Sequence, residues 1–187
     1  MHCTPQFPQS HILGNFTLGA KLHIEHRKGN HMKPGDVVEN FTLQNQDDKT
    51  VNLTDFKGKP VVLFFYPRAD TPGCTIESCG FRDAFEKFKK AGIVVLGISR
   101  DTVKAQKKFK DKYDLPYDLL ADPDLELINR YDLIKPKNMY GKLVKGVKRT
   151  TYLIGPDQRL IHIFEEVKPA GHAEEVFSYL KKHASGK

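Results

Sequence analysis

Two cysteines define the chemistry open to this chain. They lie in the stretch Tyr66-Pro67-Arg68-Ala69-Asp70-Thr71-Pro72-Gly73-Cys74-Thr75-Ile76-Glu77-Ser78-Cys79. Cys74 follows the apolar run Val61-Val62-Leu63-Phe64-Phe65-Tyr66, which reads as a buried strand ended by Pro67. Open α/β sheets place their sites beyond the carboxyl ends of such strands. A helix should start near Thr71-Pro72-Gly73, so Cys74 falls in its first turn. There, unpaired backbone N–H groups and the helix dipole favour an anion. A thiolate is stabilised at such a position, and the thiolate is the reactive form of cysteine. The competing reading, an inert small side chain filling a core gap, fits poorly with the Pro-Gly approach and with Thr71 and Thr75 on either side.

Cys79 follows five residues after Cys74. On an ideal helix that spacing puts the two Cα atoms about 8 to 9 Å apart and rotates them by about 140°. A disulfide needs Cα atoms within about 7 Å. The spacing leaves two readings open: no bridge, with Cys79 a structural residue, or a bridge that forms when the first helical turns unwind.

Other thiol and metal chemistries are weaker fits. Structural zinc takes C-x₂₋₄-C plus a second pair of ligands. Here C-x₄-C stands at the edge of that range, and His162 and His172 are isolated, so no metal is expected. A cysteine hydrolase wants a histidine base, and none is near Cys74 in sequence. A thioredoxin-type disulfide oxidoreductase would show C-x-x-C, which is absent, although a general thiol-disulfide oxidoreductase remains the alternative function. Three cysteines in 187 residues, an odd number, are too few for a disulfide scaffold and point to a reducing compartment, with cytoplasm favoured.

The elements that must position these residues follow from periodicity. Phe41–Leu43 and Val51–Leu53 alternate across the polar turn 44–49 and predict a small hairpin. Phe81, Ala84, Phe85 and Phe88 share one face of a helix expected to run from about Thr71 to Ala91. Ile93–Ser99 is the next buried strand, parallel to Val61–Tyr66. Asp101 is placed to cap a second helix through Tyr113, and Tyr117–Leu120 reads as a third strand. Asp122-Pro123 reads as an N-cap and first-turn pair for a short helix through Tyr131. Thr150–Ile154 and Arg159–Phe164 flank the turn 155–158, and Ala173, Val176, Phe177 and Leu180 mark a closing helix. The sum is an α/β, thioredoxin-like fold: a mixed central β-sheet flanked by α-helices.

Composition fits a globular chain, with 39% hydrophobic and 28% charged residues, so wholesale disorder is excluded. No run approaches the roughly 18 to 20 apolar residues needed to span a bilayer. The net charge of +7 is interspersed with acids rather than clustered, which argues for solvated helix faces over nucleic-acid binding. Residues 1–32 differ from the rest: they hold five of the eight histidines, Cys3 and no apolar periodicity. They lack the continuous apolar centre of a secretory signal. They are expected to be a disordered N-terminal extension, a cloning remnant or the product of an upstream start, with one domain over 33–187.

Pro67-x-x-x-Thr71-x-x-Cys74 resembles the active-site pattern of peroxiredoxins. The longer segment Tyr66–Asp83, ending Cys79-Gly80-Phe81-Arg82-Asp83, is similar to the bacterioferritin comigratory protein, or peroxiredoxin Q, group. Gly35-Asp36, Gly97-Ile98-Ser99-x-Asp101, Met139-Tyr140-Gly141-Lys142 and Arg149–Ile154 extend the resemblance over about residues 33 to 183. It implies a thioredoxin-fold peroxidase that reduces hydrogen peroxide and organic hydroperoxides without metal or organic cofactor. Cys74 would be the peroxidatic cysteine, oxidised to a sulfenic acid. Thr71 and the Cys74 N–H would hold the peroxide oxygens, Arg149 would sit beside the thiolate, and Pro67 would shield the site. Cys79 would be the resolving cysteine, closing an intramolecular disulfide that thioredoxin or a similar dithiol reduces. A working monomer is then possible. Lys148-Arg149-Thr150-Thr151 stands where thioredoxin has its cis-proline, which suits a peroxiredoxin better than a general disulfide exchanger.

Overall fold

Thr42–Asn45 and Thr50–Asn52 pair antiparallel as β1 and β2 in a computed structural model that describes residues 32–139 and 142–184. The register, Thr42 opposite Asn52 and Leu43 opposite Val51, is that of the expected hairpin. After a 3₁₀ turn (Leu53–Phe56) come β3 (Val61–Phe65), α1 (Pro72–Asp83) and α2 (Phe85–Lys90). Next are β4 (Val94–Ser99), α3 (Val103–Lys112), β5 (Asp118–Ala121) and α4 (Glu126–Arg130). The chain continues through β6 (Ile134–Met139), β7 (Lys142–Val147), β8 (Thr150–Ile154), β9 (Leu160–Phe164) and α5 (His172–Ala184).

Seven strands form one mixed sheet in the order β2-β1-β5-β4-β3-β8-β9, with β6 and β7 as a separate hairpin. β3, β4 and β5 are parallel at its centre, and β8 closes on β3 antiparallel. β3 is buried along its whole length, as expected of a central strand covered on both faces. Because successive strand side chains face opposite ways, Leu63 and Phe65 point into one core, with Leu127 and Ile128 of α4. Val62, Phe64 and Tyr66 point into the other, with Phe81, Phe88, Phe109 and Val176 from α1, α2, α3 and α5. Gly97 makes this packing possible: a Cβ there would lie 2.7 Å from Phe64 Cζ and 2.8 Å from Leu119 Cδ2.

Three local expectations change. The first long helix is broken at Ala84 (φ −87°, ψ −4°), where Lys87 N–H bonds back to Ala84 O at 3.0 Å in a tighter turn. Phe81, Ala84 and Phe88 are buried in the core across the break, and Phe85 is only partly buried. Asp101 does not cap α3; Thr102 does, accepting from Ala105 N–H at 3.4 Å. α4 begins at Glu126 and not at Pro123, because Leu125 takes a left-handed conformation (φ 59°). The Asp122 carboxylate still accepts its free N–H groups, from Glu126 and Ile128, each at 2.8 Å.

The β6–β7 hairpin was not anticipated from sequence; Pro136 and regularly placed lysines hide its strand pattern. Met32, assigned to the extension, packs against the core, whereas residues 1–31 and Cys3 lie outside the described residues. So do Tyr140 and Gly141 of the resemblance. Among the described residues no helix is long and apolar enough to cross a membrane.

Candidate active site

The ladder of β3 continues one residue past the strand, with Tyr66 N–H donating to Ile98 O at 3.0 Å. Pro67 has no N–H to continue it and turns the chain away, half-buried, into a loop that ends at Thr71. Thr71 is the N-cap of α1 in extended geometry (φ −101°, ψ 151°). Its hydroxyl does not cap the helix but donates to Arg68 O at 3.0 Å. Thr75 N–H reaches Thr71 O at 2.8 Å and Pro72 carries no N–H. The amides of Gly73 and Cys74 therefore form the open, electropositive end of the helix.

Cys74 sits in this first turn with 1% of its surface exposed, packed in the aromatic core. The Arg149 guanidinium, from the two-residue link between β7 and β8, donates through Nη2 to Cys74 Sγ at 3.4 Å. Through Nη1 it donates to Glu77 Oε2. Gly73 leaves space for this: a Cβ there would stand 3.3 Å from Arg149 Nη2 and 3.6 Å from Pro169 Cγ. The helix end and the guanidinium thus converge on one sulfur and leave N–H donors beside it for a substrate oxygen.

Glu77 was not singled out from sequence. Its side chain is 0% exposed, its Oε1 has no hydrogen-bond partner, and burial pushes its carboxyl up to about 7 against the opposing pull of Arg149. The available signal was its spacing, three residues after Cys74 and so on the same helix face. His172, read as an isolated histidine, is a buried pin of α5: Nε2 lies 2.9 Å from Thr151 Oγ1 and Nδ1 3.0 Å from Glu175. Burial holds it below the ordinary histidine range, in the neutral form that serves both partners.

Cys79 shares α1 with Cys74, is half-buried, and both thiols are free. The structure therefore joins Cys74, Arg149 and Glu77 directly, sets Thr71 at the start of the same helix and Pro67 at the start of the loop before it. It leaves Cys79 further along the helix. Among the described residues no group of three or more His, Cys, Asp or Glu is placed to hold a metal.

A thiol at a helix start, on a mixed sheet of this order flanked by helices, defines the class as a thioredoxin-like fold. The chain belongs to the AhpC/TSA family, which matches residues 34–163. Its relatives are the Bcp, or peroxiredoxin Q, members of that family. Peroxiredoxin Bcp of Escherichia coli K12 is 41% identical over 155 residues, covering 83% of this chain and 99% of that protein. PrxQ of Xylella fastidiosa superposes with a TM-score of 0.79 at 38% identity, over 83% of this chain and 99% of that one. The Xanthomonas campestris bacterioferritin comigratory protein, solved in a study of its alkyl peroxide reduction activity, superposes with a TM-score of 0.74 at 38% identity. That match covers 80% of this chain and 99% of the other.

Proposed function

We propose that this chain reduces hydrogen peroxide and organic hydroperoxides through a Cys74 sulfenic acid and a Cys74–Cys79 disulfide. The observation that carries the reading is the Arg149 guanidinium 3.4 Å from Cys74 Sγ at the open end of α1. In the first step the thiolate attacks the distal peroxide oxygen and the O–O bond breaks. Cys74 becomes a sulfenic acid, and the leaving oxygen departs as water or an alcohol once protonated. Arg149 and the Cys74 N–H stabilise the charge that passes from sulfur to oxygen, Thr71 holds the peroxide, and Pro67 limits water at the sulfur. In the second step Cys79 attacks the sulfenic sulfur, a disulfide forms and water leaves. Because both cysteines lie on one helix, five residues apart, this step requires α1 to unwind locally. Thioredoxin or a similar dithiol then reduces the disulfide and is itself oxidised.

The alkyl peroxide reduction studied in the Xanthomonas campestris relative supports including organic hydroperoxides. A monomer suffices, since both cysteines belong to one chain, and two free thiols suit the cytoplasm. The reading assigns no role to a metal, an organic cofactor, nucleic acid or a membrane, and takes residues 1–32 as an extension outside the catalytic domain.

Mass spectrometry after one equivalent of hydrogen peroxide tests it. A Cys74–Cys79 bridge, with NADPH consumed through thioredoxin and its reductase, is the expected result; persistent dithiol without peroxide loss overturns it. Cys74→Ser loses all peroxide reduction. Cys79→Ser keeps one turnover of Cys74 and loses the thioredoxin-linked cycle. A protein that exchanges disulfides but spares peroxide would be the general oxidoreductase instead.

A further inference from the structure

The loop Pro67–Thr71 between β3 and α1 is held by a network outside the helix that carries the cysteines. Ser99 and Gln106 are fully buried, and a chain of donors from Tyr66 through Gln106 and Ser99 ends at one carboxylate. Tyr66 Oη donates to Gln106 Oε1 at 2.5 Å. Gln106 Nε2 donates to Ser99 Oγ at 3.0 Å and to Leu120 O at 2.9 Å. Leu120 O can only accept, which fixes the orientation of the amide. Ser99 Oγ donates to Asp101 Oδ2 at 2.7 Å and accepts from Asp101 N–H at 3.2 Å. The same Oδ2 takes one further donor, the N–H of Ala69 in the loop, at 2.7 Å.

A second clamp holds the next residue. Asp70 accepts from Lys112 Nζ at 2.8 Å and from Tyr113 Oη at 2.7 Å, both on or just after α3. Its backbone is left-handed (φ 58°), a conformation that surrounding contacts must maintain in a residue other than glycine. Both clamps come from β4 and α3, none from α1. Ala69 and Asp70 are therefore held by side chains that lie outside the helix expected to unwind.

We propose that Asp101 is a positioning residue for the peroxide step, holding the 67–71 loop through Ala69 so that Thr71 and Pro67 keep their places around the sulfur. The proposal rests on the peroxidase reading. A substrate that needs the cradle then depends on Asp101, whereas a reagent that needs only the sulfur does not.

The test compares the full chain with Asp101→Ala and Asp101→Asn at three rates: oxidation of Cys74 by hydrogen peroxide, alkylation of Cys74 by iodoacetamide, and reduction of the oxidised protein by dithiothreitol. Asp101→Ala should slow the peroxide rate by about tenfold or more and leave the other two within about twofold. Asp101→Asn, whose amide oxygen can accept from both Ala69 and Ser99, should recover the peroxide rate to within about threefold of wild type. A wild-type peroxide rate in Asp101→Ala, a parallel loss of all three rates, or no recovery in Asp101→Asn overturns the proposal. If Asp101→Ala does not fold, Ser99→Ala, which removes the donor that orients the carboxylate, carries the same expectation and the same overturning outcomes. A wild-type chain that spares peroxide but alkylates normally overturns the peroxidase reading itself.

Discussion

Arg149 serves two partners with one guanidinium, the sulfur of Cys74 through Nη2 and the carboxyl group of Glu77 through Nη1. A planar fork holds its two donors in fixed directions that the single nitrogen of a lysine does not reproduce, so Arg149→Lys should slow peroxide oxidation of Cys74 by about a hundredfold, read by competition against a reference peroxidase. A loss below about threefold would mean that charge alone suffices. Glu77 makes a separate prediction. Its carboxyl keeps its proton to about pH 7 when folded, against an ordinary 4.5. A group that holds its proton more tightly in the folded state contributes stability that is full below its unfolded value and lost as pH rises through the folded one. Wild type should therefore lose on the order of 3 kcal/mol of unfolding free energy between about pH 5 and about pH 8, and Glu77→Gln should lose far less. Urea titrations at the two pH values measure it, and equal slopes refute it. At this scale Cys74 was legible from a strand end, a Pro-Gly approach and a helix start. Arg149 lies 75 residues from Cys74, and only the family resemblance singled it out. Glu77 went unassigned and Asp101 was read as a helix cap, because the partners of both lie outside the local pattern.

On the proposed mechanism α1 must be both well formed and able to open, and several contacts besides those of Arg149 restrain it. Tyr117 Oη donates to Ser78 O at 2.7 Å, one residue before Cys79, and Arg82 Nη1 donates to Tyr113 O at 2.9 Å. Phe81 meets His172 of α5 edge-on at 5.9 Å. Tyr117→Phe removes the bond nearest Cys79 and should speed disulfide closure after peroxide by roughly five- to tenfold, since a buried neutral hydrogen bond is worth about 1 kcal/mol. Stopped-flow fluorescence or rapid quench with mass spectrometry reads the rate; an unchanged rate would show that the bond does not restrain the helix. Gly97→Ala belongs to the same scale. It drives a methyl into Phe64 and Leu119 and should cost about 1 to 3 kcal/mol, read by denaturant titration. The elements themselves were largely legible: the apolar runs of β3, β4 and β8 and the helical spacing of α5 all appear where periodicity put them. What escaped was decided across the sheet. The helix breaks at Ala84, which local periodicity did not mark, and Asp101 passes the capping role to Thr102 because its carboxylate is engaged by Ser99 and Ala69.

Two cores, one on each face of the sheet, divide the molecule into a part that should stay and a part that should move. β3, β4 and β5 lie at the centre of the sheet, while α1 and α5 pack together on one face. In hydrogen exchange the disulfide form should lose protection over residues 72–83 and keep it over 61–65 and 94–99. Loss spread evenly across the sheet would contradict a local opening. The direction of synthesis gives the distance between Cys74 and Arg149 a further meaning. A chain still on the ribosome exposes its thiol to the cell before the guanidinium 75 residues downstream has been made. Unfinished chains halted before residue 149 should meet peroxide no faster than free cysteine does. On the proposed mechanism, reactivity would thus arrive only after the segment that carries Arg149 is made and folded, late in the growth of the polypeptide.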